Sequence, residues 1–312
     1  MTSRKDSAVP GEIEVRDIDG EALPGVLALR RRVFGDELAI AEDLDIDGRD
    51  GEAIVVAAYD GAHLVGTGRV LVDGAAGQVG RMAVLPERRG QGIGQRLLRR
   101  LEVAARRAGA QRIELDAMAS AYSLYEHAGY RRTGDDEMIV GHRHVPMGKP
   151  LPVLRPARDS DGPELITIIG DTFAEYPGCV LDVDREEPWL RAPATAYAEL
   201  DGAIWVYADG ADGPVVAVGA GKRSGEGLDE LKSMYVAARA RRQGLAADLV
   251  AQVDSWVASR GHRIHLWTDT RFLDAHRLYE SLGYRRTDEV RELHDLSNTS
   301  EFHYVKDYPP SR

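Results

Sequence analysis

Arg89-Gly90-Gln91-Gly92-Ile93-Gly94 joins a strand-like run to an amphipathic helix, and the chain repeats it in the same setting as Arg241-Arg242-Gln243-Gly244-Leu245-Ala246. We call these hexapeptides the first and second cradle. When a strand passes through a glycine-bearing turn directly into a helix, free backbone N–H groups and the positive end of the helix dipole point at one spot. Each cradle therefore predicts a binding site for an anion, and for a phosphate in particular.

The spacing of the glycines excludes two common phosphate-binding motifs. A dinucleotide-binding fingerprint requires a third glycine where Gln95 stands, and a P-loop requires Gly-Lys-Ser/Thr, which neither cradle contains. Both cradles instead fit the pattern Q/R-x-x-G-x-G/A. In this they resemble the pyrophosphate-binding signature of the GCN5-related N-acetyltransferases, the GNAT superfamily.

The similarity between the two parts of the chain extends beyond the cradles. Gly92 and Gly244 are 152 residues apart, and Tyr125 and Tyr279 are 154 apart. The sequence Gly-Tyr-Arg-Arg-Thr follows both tyrosines at the same distance. An insertion of two residues between cradle and tyrosine accounts for the difference. Two copies of so long a unit indicate two domains rather than a solenoid of short repeats.

A length of 312 residues also fits two domains. We expect a disordered N-terminus over 1–11, an N-terminal domain over 12–150 and a C-terminal domain over 151–312. Hydrophobic patterning predicts a shared order: a strand, a helix, a second helix or irregular segment, three strands, the cradle helix, a strand, a helix and two strands. The predicted fold class is α/β with a mixed sheet, as two tandem GNAT domains whose central sheets are flanked by helices.

Composition limits the classes of function. A net charge of −11 argues against a nucleic-acid partner, whose phosphates would be repelled. Cys179 is the single cysteine, which excludes a disulfide framework and a zinc ribbon, and we expect no metal. No run approaches the roughly 18 apolar residues of a membrane span. We therefore expect a cytoplasmic protein without a membrane partner, either a monomer or a homodimer.

The GNAT resemblance implies acetyl-CoA as the acyl donor. In that family, backbone groups of the strand before the cradle pair with pantetheine, which here means Met82 and Val84, and Met234 and Val236. The diphosphate of CoA is then assigned to all residues of both cradles: Arg89, Gly90, Gln91, Gly92, Ile93 and Gly94, and Arg241, Arg242, Gln243, Gly244, Leu245 and Ala246.

The resemblance also implies an acid that protonates the departing thiolate. The family uses a tyrosine in the context Ala-x-x-Leu-Tyr-x-x-x-Gly-Phe/Tyr, and Tyr125 and Tyr279 both occupy that position. A phenol with an ordinary pKa of about 10 suits this role. A tyrosine that packs on its helix and only hydrogen-bonds the sulfur is the alternative.

The base differs between the two halves. Many family members carry a glutamate near the start of the strand before the cradle, and Glu230 matches it. Gln78 stands at the same place in the first half, and an amide cannot accept the ammonium proton. We therefore favour the C-terminal half as the catalytic one. Four other side chains could replace the missing base in the first half: Asp116, Glu137, His142 and His144.

The first half resembles the ElaA/YjcF-like branch of the superfamily, and the tandem architecture resembles that of mycothiol synthase. We expect N-acetylation of the primary amine of a small metabolite by direct attack in a ternary complex. Acidic stretches at Asp36–Asp50 and Asp182–Glu187 would suit a cationic amine. Three alternatives stay open: another acyl donor, a non-catalytic CoA-binding regulatory module, and acetylation of protein lysines.

Overall fold

The computed structural model describes residues 13–210 and 212–308. The N-terminal segment 1–11, expected to be disordered, lies outside these residues. Packing divides the chain into two compact units, and the border between them falls between Leu151 and Pro152.

The first unit opens with strand β1 (Ile13–Asp17) and helix α1 (Leu23–Arg30), which continues as a π-helix over Arg31–Glu37. The elements that follow are α2 (Glu42–Asp45), β2 (Ile54–Asp60), β3 (His63–Asp73), β4 (Ala76–Val84), α3 (Ile93–Arg107), β5 (Arg112–Met118), α4 (Tyr122–His127), β6 (Arg131–Arg132), β7 (Glu137–Ile139) and β8 (His142–Pro150).

The second unit follows the same order. Its elements are β9 (Pro152–Pro156), α5 (Gly162–Ala174), α6 (Pro193–Glu199), β10 (Ala203–Asp209), β11 (Val215–Gly225), β12 (Leu228–Val236), α7 (Leu245–Ser259), β13 (Arg263–Asp269), α8 (Leu273–Ser281), β14 (Arg285–Glu292) and β15 (Ser300–Lys306).

One prediction is wrong in detail. Two strands were expected at the end of the first unit, but the first of them is divided into β6 and β7. The residues between them are Thr133-Gly134-Asp135-Asp136. Glycine and aspartate are poor strand formers, which accounts for the break.

Both units are built on a mixed sheet, as the sequence predicts. Within 13–210 and 212–308, the first sheet has eight strands in the order β1-β2-β3-β4-β5-β8-β6, with β7 paired to β8, and the second has seven in the order β14-β15-β13-β12-β11-β10-β9. Each contains one parallel pair among its described strands, β4 with β5 and β12 with β13. The cradle helices α3 and α7 pack their apolar stripes on these sheets.

The two strands of each parallel pair separate after a few residues. β4 pairs with β5 only from Ala76 to Gln78, and β12 pairs with β13 only from Leu228 to Leu231. Beyond these points each cradle strand keeps its antiparallel neighbour alone. A wedge-shaped opening therefore lies beside the second part of β4 and of β12, directly before each cradle.

Both cradle strands carry a bulge at the same place. Arg81 in β4 and Ser233 in β12 each have a φ of +54°, and the pairing with the preceding strand slips there. A bulge bends the strand and increases its twist. It therefore directs the end of each cradle strand away from its parallel neighbour.

The methionines that follow the bulges lie over glycines of the preceding strands. A Cβ added to Gly68 would lie 2.5 Å from Sδ of Met82, and one added to Gly219 would lie 2.8 Å from Cε of Met234. Any larger residue at either position would displace the methionine. The two sheets thus share this contact as well as their strand order.

Candidate active site

Each cradle enters its helix through a glycine in the left-handed conformation. Gly92, the N-cap of α3, and Gly244, the N-cap of α7, both have a φ of +74°, which favours glycine. The N–H groups of the first helical turn have no partner within the helix and point outward. A Cβ built on Gly92 would have no atom within 4 Å, so an anion has room to reach these N–H groups.

The second cradle has an arginine where the first has a glycine. Gly90 has a φ of +75°, and Arg242 at the matching position has a φ of +61°. A left-handed backbone at a residue with a long side chain is uncommon and is found most often at functional sites. Arg242 makes no ion pair or side-chain hydrogen bond with any residue that the structure describes.

Arg89 ties the first cradle to the strand before it. Its Nε donates to the Val84 carbonyl at 3.1 Å, and its two terminal nitrogens reach the two carboxylate oxygens of Glu37 at 2.6 and 2.7 Å. This hydrogen-bonded pair lowers the pKa of the Glu37 carboxyl. These contacts tie the turn both to the strand before it and to Glu37.

Arg241 repeats this arrangement in the second cradle. Its Nε donates to the Val236 carbonyl at 3.2 Å, and its terminal nitrogens each lie 2.7 Å from an oxygen of Glu175. Sequence reasoning missed both glutamate partners. The arginines therefore shape the cradles, and their side-chain charges are already balanced before any phosphate arrives.

The carbonyls of Val84 and Val236 point into the wedge-shaped openings. The Leu85 N–H donates to Val65 in β3, and the Ala237 N–H donates to Val216 in β11. Because the N–H and C=O of a trans peptide point in opposite directions, each valine carbonyl faces away from the antiparallel neighbour. Each carbonyl accepts a hydrogen bond from the Nε of its cradle arginine, and no described strand pairs with the edge that the family resemblance assigned to pantetheine.

In the second unit, one cavity of about 950 Å³ brings the predicted residues together. Nearly all predicted site residues of this half line it: Glu230, Met234, Val236, Arg241, Arg242, Gly244, Leu245, Ala246 and Tyr279. Gln243 is the exception, and its side chain donates to the Arg239 carbonyl at 3.4 Å. The cavity extends from the second cradle, past the open edge of β12, to the face of the sheet that carries Glu230.

Glu230 lies on β12 just before the strands separate. It is 7% exposed, and Nζ of Lys222 on β11 lies 3.6 Å from its carboxylate. The equivalence with Gln78 holds in three dimensions, since Gln78 pairs with Glu114 on β5 as Glu230 pairs with His265 on β13. Gln78, in contrast, is exposed. Only the second half places a carboxylate at this point.

The two tyrosines are both buried. Burial raises the pKa of Tyr279 above the ordinary value, and it raises the pKa of Tyr125 to about 12. Each tyrosine packs against a second tyrosine that lies three residues after its helix: Tyr125 contacts Tyr130 with ring centroids 5.8 Å apart, and Tyr279 contacts Tyr284 at the same distance. Tyr279 also lines the cavity of the second unit.

The other base candidates of the first half are dispersed. Asp116 and Glu137 are exposed. His142 contacts the Leu38 carbonyl through Nε2 at 3.1 Å, and His144 contacts the His142 carbonyl through Nδ1 at 3.0 Å. None of the four stands at the position of Gln78 beside the wedge.

The acidic stretch of the first half folds back over its own arginines. Arg30 is fully buried, its Nε lies 3.0 Å from both oxygens of Asp45, and its Nη1 lies 2.8 Å from Asp50. Arg69 on β3 binds Asp50 at 2.8 Å and also pairs with Asp47. These carboxylates are therefore balanced within the fold.

Arg81, the bulge residue of β4, belongs to the same cluster. It donates to the backbone carbonyls of Leu44 and Asp45 at 3.0 and 2.9 Å. We call Arg30, Arg69, Arg81, Asp45, Asp47 and Asp50 the arginine–aspartate cluster. The sequence suggested that this acidic stretch would suit a cationic amine, but the cluster uses its carboxylates for internal ion pairs.

Residues 13–210 and 212–308 contain no group of three or more His, Cys, Asp or Glu side chains suited to holding a metal ion. No helix in that part of the chain is both long enough and apolar enough to span a membrane.

Comparisons with known proteins identify both halves. A model of the acetyltransferase (GNAT) domain matches residues 16–151, and a model of the acetyltransferase (GNAT) family matches residues 171–284. The chain is 32% identical to the N-acetyltransferase YjcF of Bacillus subtilis over 130 residues, which are 41% of this chain and 93% of YjcF.

One further curated protein and one solved structure are also similar to parts of the chain. An aminoglycoside N(6')-acetyltransferase type 1 of Serratia marcescens is 44% identical over 61 residues, which are 19% of this chain and 42% of that protein. The structure of Escherichia coli ElaA matches with a TM-score of 0.40 and 26% identity, over 44% of this chain and 99% of ElaA. YjcF matches the first half, as its sequence predicts. The chain therefore belongs to the GNAT family of N-acetyltransferases and carries the domain of that family twice in tandem.

Proposed function

We propose that the second half transfers the acetyl group of acetyl-CoA to the primary amine of a small molecule. GNAT acetyltransferases use acetyl-CoA as their donor. The observation that carries the proposal is a cavity of the second unit that is lined by residues of the second cradle, by Glu230 and by Tyr279.

The donor side of this cavity offers three kinds of contact. The N–H groups after Gly244 and the guanidinium of Arg242 would bind the diphosphate, because both present positive charge at a helix N-terminus. The open edge of β12, including the Val236 carbonyl, would hydrogen-bond the pantetheine amides. The thioester would then lie beside the separated strands, between Glu230 and Tyr279.

Glu230 would accept a proton from the incoming ammonium, directly or through water, so that a neutral amine attacks the thioester carbonyl. A C–N bond forms, the C–S bond breaks, and the nitrogen releases its second proton to solvent as the amide forms. Tyr279 would give its phenolic proton to the departing thiolate and regain one from solvent. Burial keeps the phenol protonated, and Nζ of Lys222 lies 3.6 Å from the Glu230 carboxylate.

The acceptor side of the cavity supports an amine that arrives as a cation. Glu186 and Glu187 line it, and both belong to the acidic stretch Asp182–Glu187 noted in the sequence. Glu187 accepts a hydrogen bond from the indole of Trp189, and burial raises the pKa of its carboxyl. Carboxylates around an opening raise the local concentration of a cationic substrate.

The first half would bind CoA without catalysis or serve as a structural unit. It has an equivalent cradle and open strand edge, but Gln78 cannot take a proton. In addition, the arginine–aspartate cluster occupies the bulge region of its sheet. A role as a non-catalytic CoA-binding regulatory module is therefore kept for the first half only.

The experiment compares matched cradle variants. Release of free thiol from acetyl-CoA is measured with a panel of small primary amines and lysine-containing peptides, for the native chain and for Gly92→Glu and Gly244→Glu. A carboxylate in a cradle repels the diphosphate. We expect turnover of a small amine that Gly244→Glu abolishes and Gly92→Glu preserves.

Other outcomes would contradict the proposal. Loss of turnover in Gly92→Glu alone would assign catalysis to the first half. Turnover of peptides but of no small amine would indicate a protein-lysine acetyltransferase. CoA binding without turnover of any acceptor would indicate a regulatory module.

A further inference from the structure

The charged side chains of the cavity in the second unit are not all balanced. Five cationic residues line it: Lys232, Arg241, Arg242, Arg277 and Arg291. Three of them have a carboxylate partner, because Arg241 pairs with Glu175, Arg277 with Asp274 and Arg291 with Glu301. Lys232 and Arg242 form no ion pair with any residue in the part of the chain that the structure describes.

The two unpaired cations lie on different parts of the cavity lining. Arg242 is part of the second cradle, where the diphosphate of the donor would bind. Lys232 lies on β12, two residues after Glu230 and before the bulge at Ser233. Residues two apart on a strand share one face of the sheet. Lys232 therefore stands next to the proposed base, on the acceptor side.

The nearby acids do not neutralise Lys232. The carboxylate of Glu230 has its own partner in Lys222, at 3.6 Å. Glu187 is close enough for the charge of Lys232 to act on it, but the two form no ion pair. Lys232 is half-buried and makes no direct ion pair with Glu187, so the N–H donors of its ammonium stay available to an anionic ligand.

We propose that the acceptor is an amino acid or a similar zwitterion, whose carboxylate is bound by Lys232 while its amine faces Glu230. This rests on the proposed function of the second half. Positions two apart on a strand are separated by about 6.6 Å, and both side chains are flexible. An amine and a carboxylate a few bonds apart fit between them.

The first half lacks both members of this pair. Gln78 stands at the position of Glu230, and Gly80 stands at the position of Lys232, each 152 residues earlier. Glu230 and Lys232 therefore occur together only in the half whose cavity is also lined by Tyr279.

The test uses matched acceptors that differ only in charge. α-, β- and γ-amino acids are compared with their amides, which keep the amine and lose the anion. Each is titrated calorimetrically into the CoA-saturated full-length protein, and kcat/KM for acetyl transfer is measured alongside. The variants are Lys232→Met, which keeps the length of the side chain without its charge, and Lys232→Arg, which keeps the charge.

We expect at least one amino acid to bind more tightly than its amide, by about tenfold or more, as for a hydrogen bond to a charged group. Lys232→Met should remove this preference, and Lys232→Arg should retain most of it. Lys222→Met, which alters the partner of Glu230, should affect kcat/KM for acid and amide equally.

Two results would overturn the proposal: no native preference for any amino acid over its amide, or a preference that persists in Lys232→Met. If the binding preference depends on Lys232 but no acceptor is acetylated, the proposed function fails while the anion site stands. If neutral or purely cationic amines are acetylated and amino acids neither bind nor react, the proposed function stands and this inference fails.

Discussion

Arg81 and Ser233 occupy the same bulge in the two sheets, with the same φ of +54°, yet they anchor different elements. Arg81 donates to the Asp45 carbonyl, whereas the hydroxyl of Ser233 lies 2.7 Å from that of Tyr197 on α6. The duplicated backbone is thus retained while the segment held above it has changed. In the first unit, the arginine–aspartate cluster lies beside the bulge. In the second unit, a cavity lies there instead.

Replacement of Glu230 by glutamine should reduce kcat for amine acetylation by about 10²–10⁴-fold, the usual contribution of a general base. The amide keeps the size of the side chain but cannot accept the proton. Thiol release under saturating acetyl-CoA measures the effect. Gln78→Ala is the matched control in the first half and should leave kcat unchanged. Equal losses in both variants would contradict the assignment of the base.

Tyr279→Phe should lower kcat by about 10²-fold or more if the phenol protonates the thiolate. Tyr125→Phe should have no effect on turnover. Because burial raises the pKa of Tyr279, its phenol stays protonated above pH 10, and we expect no fall in rate on the alkaline side up to about that pH. A fall in kcat near pH 8 that disappears in Tyr279→Phe would show instead that this phenol ionises below its ordinary pKa of about 10.

Arg30→Met should destabilise the first unit by about 3–5 kcal/mol, because Asp45 and Asp50 would lose their buried partner. Arg32→Met breaks an exposed pair with Glu87 and should cost no more than about 1 kcal/mol. Unfolding in urea is followed by circular dichroism for the whole chain and by tryptophan fluorescence for the second unit, since all four tryptophans lie there. A fluorescence transition that shifts as much as the circular dichroism would contradict a local effect.

The first unit should lose stability as the pH falls into the acid range. A hydrogen bond from Arg69 lowers the pKa of Asp47, and hydrogen bonds from Arg69 and Arg30 overcome the opposing effect of burial to lower that of Asp50. Since these carboxyls bind protons more weakly when folded, their contribution is complete above about pH 4 and declines as the pH falls. Urea midpoints from pH 6 to pH 3 measure this, and Asp47→Asn should flatten the profile.

Much of the architecture could be predicted because it follows from local patterns. The hydrophobic periodicities gave the order of strands and helices, and the constant offset between Gly92 and Gly244 revealed the duplication. The cradle glycines were recognisable because a left-handed turn before a helix favours glycine. Glu230 was distinguishable from Gln78 by chemistry alone, since one can accept a proton and the other cannot.

The contacts that the sequence did not reveal join distant segments. Glu37 and Glu175 hold equivalent arginines but are only 138 residues apart, because the segments before the two sheets differ in length. The partners of the acidic stretch, such as Arg69, lie on strands whose side-chain directions depend on the bulge. The absence of an ion pair between Lys232 and any described residue can be recognised only when its surroundings are known.

The separation of β12 from β13 gives the donor a second role. From Ser233 onward, β12 has a strand on one side only, so the sheet is incomplete until an extended molecule lies along its free edge. Pantetheine would supply that missing row of hydrogen bonds. The substrate would thus become, for the length of one catalytic cycle, a structural part of the enzyme, and slower hydrogen exchange at the edge amides would report its arrival.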